Sequence, residues 1–182
     1  LGYVESNTAL EHIQAKRLNG IGKKNSAFSD FAPEDLTNPN THPALRPRIA
    51  FRHVSRSNDS RSFRAAIVPG KVLLGNSAPY LLFMSGGERS MAYLLGVMCS
   101  RVFDWQVRRF VNANMNFFLF DSFTVPVLNV EQEGMISSRI IEIVALLSAI
   151  DERYDEWLAK LNLGIDRKSE LSETDLNAEL DA

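Results

Sequence analysis

The chain has one cysteine, Cys99, in 182 residues. A lone thiol can form neither an internal disulfide nor a cysteine-cluster zinc site, and a chain without disulfides fits the reducing cytoplasm. Cys99 stands in an apolar helical pattern and reads as buried filler. Histidine is also scarce: His12, His42 and His53 make no pair at metal-ligand spacing, so no metal is expected. Long apolar runs are missing. The nearest, residues 135–150, is interrupted by Ser137, Ser138, Arg139, Glu142 and Ser148, too short and polar for a bilayer, so no membrane partner is expected. The chain opens at Leu1 with no basic flank, apolar run or small-residue cleavage site, which reads as a segment of a longer protein rather than a secreted one. Internal repeats and low-complexity tracts are absent.

A converging set of acid, base and nucleophile is lacking too, which argues against a free-standing enzyme. Ser85, Gly86 and Gly87 do not place serine between glycines, as a nucleophile elbow requires, and read as a hinge. The run Asn19, Gly20, Ile21, Gly22, Lys23 and Lys24 has neither the spacing nor the preceding apolar strand of a phosphate loop, and reads as a turn. Asp151, Glu152, Asp155 and Glu156 flank an apolar seam and read as solvated surface charge. No catalytic or cofactor-binding residue is expected within the chain.

What is present is enough apolar material, 45% of residues, for a real core, and a charge balance that is unevenly distributed. Residues 1–128 carry 15 Lys and Arg against 9 Asp and Glu, a net of +6. Residues 129–182 carry 5 against 13, a net of −8. The overall charge of −2 therefore conceals a basic body, and polyanion contact depends on the local patch.

Four stretches follow from composition and periodicity. Residues 1–45 are polar and rich in Gly, Pro and Asn, with one short helix over 8–18 and otherwise irregular backbone. Residues 46–128 form the core. Within them, residues 48–56 alternate strictly, with Arg48, Ala50, Arg52, Val54 and Arg56 on one face. A turn at Ser57, Asn58, Asp59 and Ser60 leads to a returning strand over 63–68, and short strands are expected over 71–74 and 80–84. Met91, Leu94, Leu95, Met98, Val102 and Trp105 recur at helical spacing, predicting one helix of about six turns over 88–111. Residues 112–128 read as loop and strand. Residues 129–164 hold a packing helix whose seam is Ile136, Ile140, Ile143, Leu147, Ile150, Tyr154, Trp157 and Leu161, ended by Gly164. Residues 165–182 form an acidic tail expected to be flexible or marginally helical. The fold class is α+β: a curved, mostly antiparallel sheet from 46–84 and 113–127, backed by a helix, with a long C-terminal helix beside it.

Arg46, Arg48, Arg52, Arg56, Arg61, Arg64 and Lys71 are offset locally by Asp59 alone. The guanidinium fork matches phosphate oxygens and the acceptor pair of guanine, so the hairpin suits phosphate clamping or base reading; the other reading is an edge strand guarded by charge. Asn112, Asn114 and Asn116 alternate, and their amides offer the donor and acceptor that an adenine edge requires, while capping or turn roles are equally open to them.

These residues fall in a recognisable order. Arg48 to Arg52, Arg61, the run Arg64 to Pro69, the run Asn76 to Leu82, Tyr93 to Gly96, Ser100, Asp104 with Trp105, Arg108 to Phe110, Asn114 to Phe118, and Phe123 to Pro126 together resemble the C-terminal target-recognition region of type II restriction–modification enzymes. In that family modification and recognition share one polypeptide. The resemblance covers about 46–128 and extends to Ala149, Ile150, Asp151 and Trp157; residues 1–45 take no part in it. It implies double-stranded DNA as a partner and S-adenosylmethionine-dependent adenine methylation, with the base flipped from the duplex by a methyltransferase domain of the same longer chain. The Asn-Pro-Pro-Tyr motif of that chemistry is absent; Asn38, Pro39 and Asn40, and Ser77 to Tyr80, only echo it. The resemblance therefore implies a recognising part, with methylation and any cleavage carried elsewhere. The competing expectation is a non-catalytic interaction module that docks through the C-terminal helix.

Overall fold

The computed structural model describes residues 6–26, 28–83, 87–120, 122–127, 133–164 and 172–181. The chain is α+β and divides into two compact units, Leu1–Arg46 with Gly70–Leu73, and Pro47–Pro69 with Leu74–Ala182.

The first unit holds α1 (Ser6–Gly20) and α2 (Pro33–Thr37), followed by two short 3-10 turns, Pro39–Thr41 and Pro43–Leu45. Pro33 starts α2 because its missing N–H falls where a helix has no acceptor for it. A buried arginine organises the unit. Arg17 donates to Asp35 O and Thr41 Oγ1, each at 2.7 Å, and to Gln14 Oε1 at 2.9 Å, so the loop carbonyls satisfy a charge taken out of water. The strand expected over 71–74 is not formed; Gly70–Leu73 belong to this unit as irregular backbone, with Lys71 N donating to Ala44 O.

In the second unit β1 (Arg48–Phe51) pairs antiparallel with β2 (Ala65–Val68) on one edge and β3 (Tyr80–Leu81) on the other. Ile49, Phe51 and Ile67 point inward, as period-two alternation requires, and are almost fully buried. Helices α3 (Gly87–Cys99), α4 (Arg101–Arg108), α5 (Phe117–Phe120), α6 (Ser138–Ser148), α7 (Asp155–Leu161) and α8 (Glu173–Leu180) complete the unit. Ile49, Ile67, Leu95, Ile141, Trp157 and Leu161 form one core cluster; Phe51, Phe63, Met98, Phe103, Val107 and Met115 form a second. Each such side chain contributes about 1.5–3 kcal/mol on leaving water. In the second cluster Phe63 meets Phe51 and Phe103 with ring centroids 5.9 and 5.1 Å apart.

Several expected elements are shorter than their patterns. The helix over 88–111 is two helices, because Ser100 takes an extended conformation and its Oγ accepts the Phe103 N–H, capping α4. The C-terminal helix is likewise split: Asp151 is extended and its carboxylate accepts the Arg153 N–H, restarting the chain as a 3-10 turn before α7. The seam residues Ile143, Trp157 and Leu161 are buried within the chain itself, whereas Ile136 and Ile150 are exposed. Gly96 of α3 allows α6 to approach closely, since a Cβ there would lie 2.3 Å from Ile140 Cγ2. The strand expected over 80–84 is two residues long; Met84, Ser85 and Gly86 lie outside the described residues. Residues 117–120 form a helix rather than a strand. Within the acidic tail residues 173–180 form α8, and 165–171 and 182 lie outside the described residues. Among the described residues no helix is long and apolar enough to cross a membrane.

Candidate nucleic-acid interface

The expected strand over 48–56 hydrogen-bonds as one only to Phe51, but its direction continues. Arg52 N donates to Arg64 O at 2.9 Å on the β2 edge, and His53 N donates to Ser77 O at 3.0 Å on the β3 edge. Beyond Ser77 the β3 edge is taken over by the asparagine segment. Met115 N donates to His53 O at 2.7 Å and Ser55 N to Ala113 O at 3.0 Å, with Val54 and Asn114 as the bridged pair.

Alternation then decides what faces water. Phe51 and Met115 turn inward and are buried. Arg52 shares its face with Val54, and the cross-strand partners of these two, Arg64 and Asn114, lie on the same outer side. Val54, Arg64 and Asn114 are exposed, and Arg52 is half-exposed. Arg56 and Asn112 are exposed as well. The outer face of the hairpin thus carries Arg52, Arg64 and Asn114, with Arg56 exposed further along the chain and one carboxylate beside Arg52 and Arg64.

That carboxylate is Asp59, which pairs with Arg52. Slight desolvation works to raise the Asp59 pKa, but the hydrogen bond and charge of Arg52, together with the charge of Arg64, hold it below its ordinary value. Arg64 donates to Ser60 Oγ at 3.1 Å, an exposed contact that solvent or a ligand can replace.

Three of the expected arginines are placed differently. Arg48 is buried, with its guanidinium 4.8 Å from the Tyr80 ring centroid, and desolvation pushes its pKa below the ordinary value. It is not on a solvent-facing row with Arg52 and Arg56, because β3 brings Tyr80 alongside the same strand. Arg61 is engaged internally, donating to Cys99 O at 3.0 Å and pairing with Asp181 at 3.2 Å. Arg46 belongs to the first unit, immediately after the 3-10 turn at Pro43–Leu45. Asn116 is half-buried, and its Oδ1 lies 3.2 Å from His53 Nε2.

The hairpin tip is clamped from behind. Arg108 donates to the carbonyls of Ser57, Asp59 and Ser60 at 2.9, 2.8 and 2.7 Å, while its Nε bonds Asp104 Oδ2 at 2.8 Å. Asp104 in turn accepts the buried Phe63 N–H at 2.7 Å. The four-residue spacing of Asp104 and Arg108 on a helix announces their ion pair; nothing in the spacing points to the carbonyls that Arg108 reaches. Phe118, 69% exposed on α5 just after the asparagine row, is a further apolar side chain turned to solvent.

Among the described residues no group of three or more His, Cys, Asp and Glu side chains could hold a metal ion. In comparisons with known proteins, the chain matches no family model, no curated protein and no solved structure.

Proposed function

We propose that the second unit is a DNA target-recognition domain that reads duplex DNA for an adenine methyltransferase borne by the same, longer chain. The observation that carries the reading is the outward face on which Arg52 and Arg64 stand beside the bridged Asn114, with Arg56 exposed next along the chain and Asp59 paired to Arg52. Phosphate contacts from arginine position a protein on DNA, and base-edge contacts specify sequence. On this sheet, curved to follow a groove, Arg56 and Arg64 clamp phosphates, and the Asn114 amide makes the paired donor and acceptor contact to adenine. Arg52 exchanges Asp59 for phosphate on binding. S-adenosylmethionine, base flipping, methyl transfer and any strand cleavage belong to the rest of the enzyme, in the cytoplasm.

Binding of the chain to a fluorescent duplex across a salt series tests this reading. Log affinity should fall linearly with log salt at a slope of about −0.9 per phosphate neutralised, hence roughly −2 to −3 for three arginines. A chain that binds no duplex at low salt, or whose affinity is indifferent to salt, overturns it.

A further inference from the structure

The charges of α8 suit its start, where Glu173 and Asp175 lie in the first turn behind the Ser172 cap, and disfavour its end. Glu179 and Asp181 stand at its C-terminal end, where the helix dipole is negative, and its last turn has no basic residue. Eight residues are also too few for stability alone, since isolated helices shorter than about 12–15 residues are marginal. Two sets of arginines from the body supply what the helix lacks. Arg139 grips Glu179 through both carboxylate oxygens, at 2.6 and 2.7 Å. Asp181 accepts from the Arg101 backbone N–H at 2.7 Å, from Arg101 Nε at 2.8 Å and from Arg61 Nη2 at 3.2 Å. Its apolar anchorage is slight, consisting of buried Leu176 and half-buried Leu180 near Gly96.

Arg61 and Arg101 come from different elements and meet over the first amide of α4. Two guanidinium groups and a backbone N–H aimed at one point are the donors a phosphate oxygen takes. Arg61 begins the hairpin leg that ends in Arg64, so the point is continuous in chain with the cationic face.

We propose that Arg61, Arg101 and the Arg101 amide form a phosphate site, and that Asp181 occupies it as an internal stand-in that the nucleic-acid backbone displaces, releasing α8. The identity of the competing anion rests on the duplex-binding reading; the site itself does not. The acidic helix then acts as a latch, holding the basic body partly neutralised until a polyanion of higher charge density arrives.

The test uses the full chain and its Asp181→Asn variant, followed by the Arg101 amide resonance and by hydrogen exchange of α8, with inorganic phosphate and then a short duplex as probes. Asp181→Asn should bind phosphate several-fold more tightly than the parent, with a shift at the Arg101 amide that Arg101→Gln abolishes. In the parent, duplex should accelerate exchange of the α8 amides several-fold. Equal phosphate affinity for parent and Asp181→Asn, or duplex binding that leaves α8 exchange unchanged, overturns the latch. Should Asp181→Asn take phosphate at Arg101 while neither protein binds duplex, the site stands and the DNA reading fails.

Discussion

The carboxylate of Asp104 on α4 accepts the buried backbone N–H of Phe63 at 2.7 Å, tying the helix to the returning leg of the hairpin one residue before Arg64. The position of the cationic face therefore depends on a residue that never reaches it. Asp104→Ala leaves the Phe63 N–H without an acceptor and releases Arg108 from its ion pair. A buried donor left unsatisfied costs about 1–3 kcal/mol, so denaturant unfolding should show a loss of that size. Asp104→Asn keeps an acceptor oxygen and should lose less.

Gly96 sets the approach of α3 and α6. Alanine there improves helix propensity by about 1 kcal/mol, but its Cβ would sit 2.3 Å from Ile140 Cγ2 and 3.1 Å from Val144 Cγ2. Overpacking of this kind costs about 1–3 kcal/mol, so the unfavourable effect wins. Gly96→Ala should lower the Tm, and its cost should be smaller in an Ile140→Ala background, which lacks the Cγ2 that the new Cβ meets.

Cys99 reports on the same region. Burial pushes its thiol up to about 11, with the nearby Asp181 charge adding to the effect and Arg61 opposing it. Against a thiol of ordinary pKa near 9, a rise of two units lowers the thiolate fraction at pH 8 by about 100-fold. Labelling by a thiol-specific disulfide reagent should be slow in the native chain and faster in Asp181→Asn.

Docking of α8 has a definite pH dependence. Desolvation works to raise the Asp181 pKa, but its bonds to Arg101 and Arg61 prevail and hold it below the ordinary carboxylate value; the Arg139 hydrogen bond does the same for Glu179. A depressed native pKa contributes stability above the unfolded value, and that contribution is lost as pH falls through the native one. Exchange protection of α8 should thus be constant near neutrality and decline at pH values below about 4. Protection that instead weakens on raising the pH from 6 to 8 would contradict the assignment of these carboxylates.

The sequence made the class of fold legible, and the outward face of the chain after Phe51, because alternation and helical spacing are local. Arg52, Val54 and Arg56 were correctly separated from Phe51 on this basis. It overestimated helix length where Ser100 and Asp151 cap new helices, because the apolar period runs uninterrupted through both and hides the caps. Arg48 and Arg61 were misplaced for another reason: a pattern gives a side chain its face but not its partner. Tyr80 stands 32 positions from Arg48, and Asp181 120 positions from Arg61. The carbonyl clamp of Arg108 is not legible either, since carbonyl acceptors leave no mark in a sequence.

The most direct measurement is duplex affinity as a function of salt for the parent chain, Arg64→Ala, Arg56→Ala and, as a control at an exposed arginine of the acidic half, Arg153→Ala. Each hairpin variant should bind more weakly and flatten the salt slope by about 0.9, while Arg153→Ala leaves both unchanged. Hairpin variants that match the parent in affinity and slope would contradict the account.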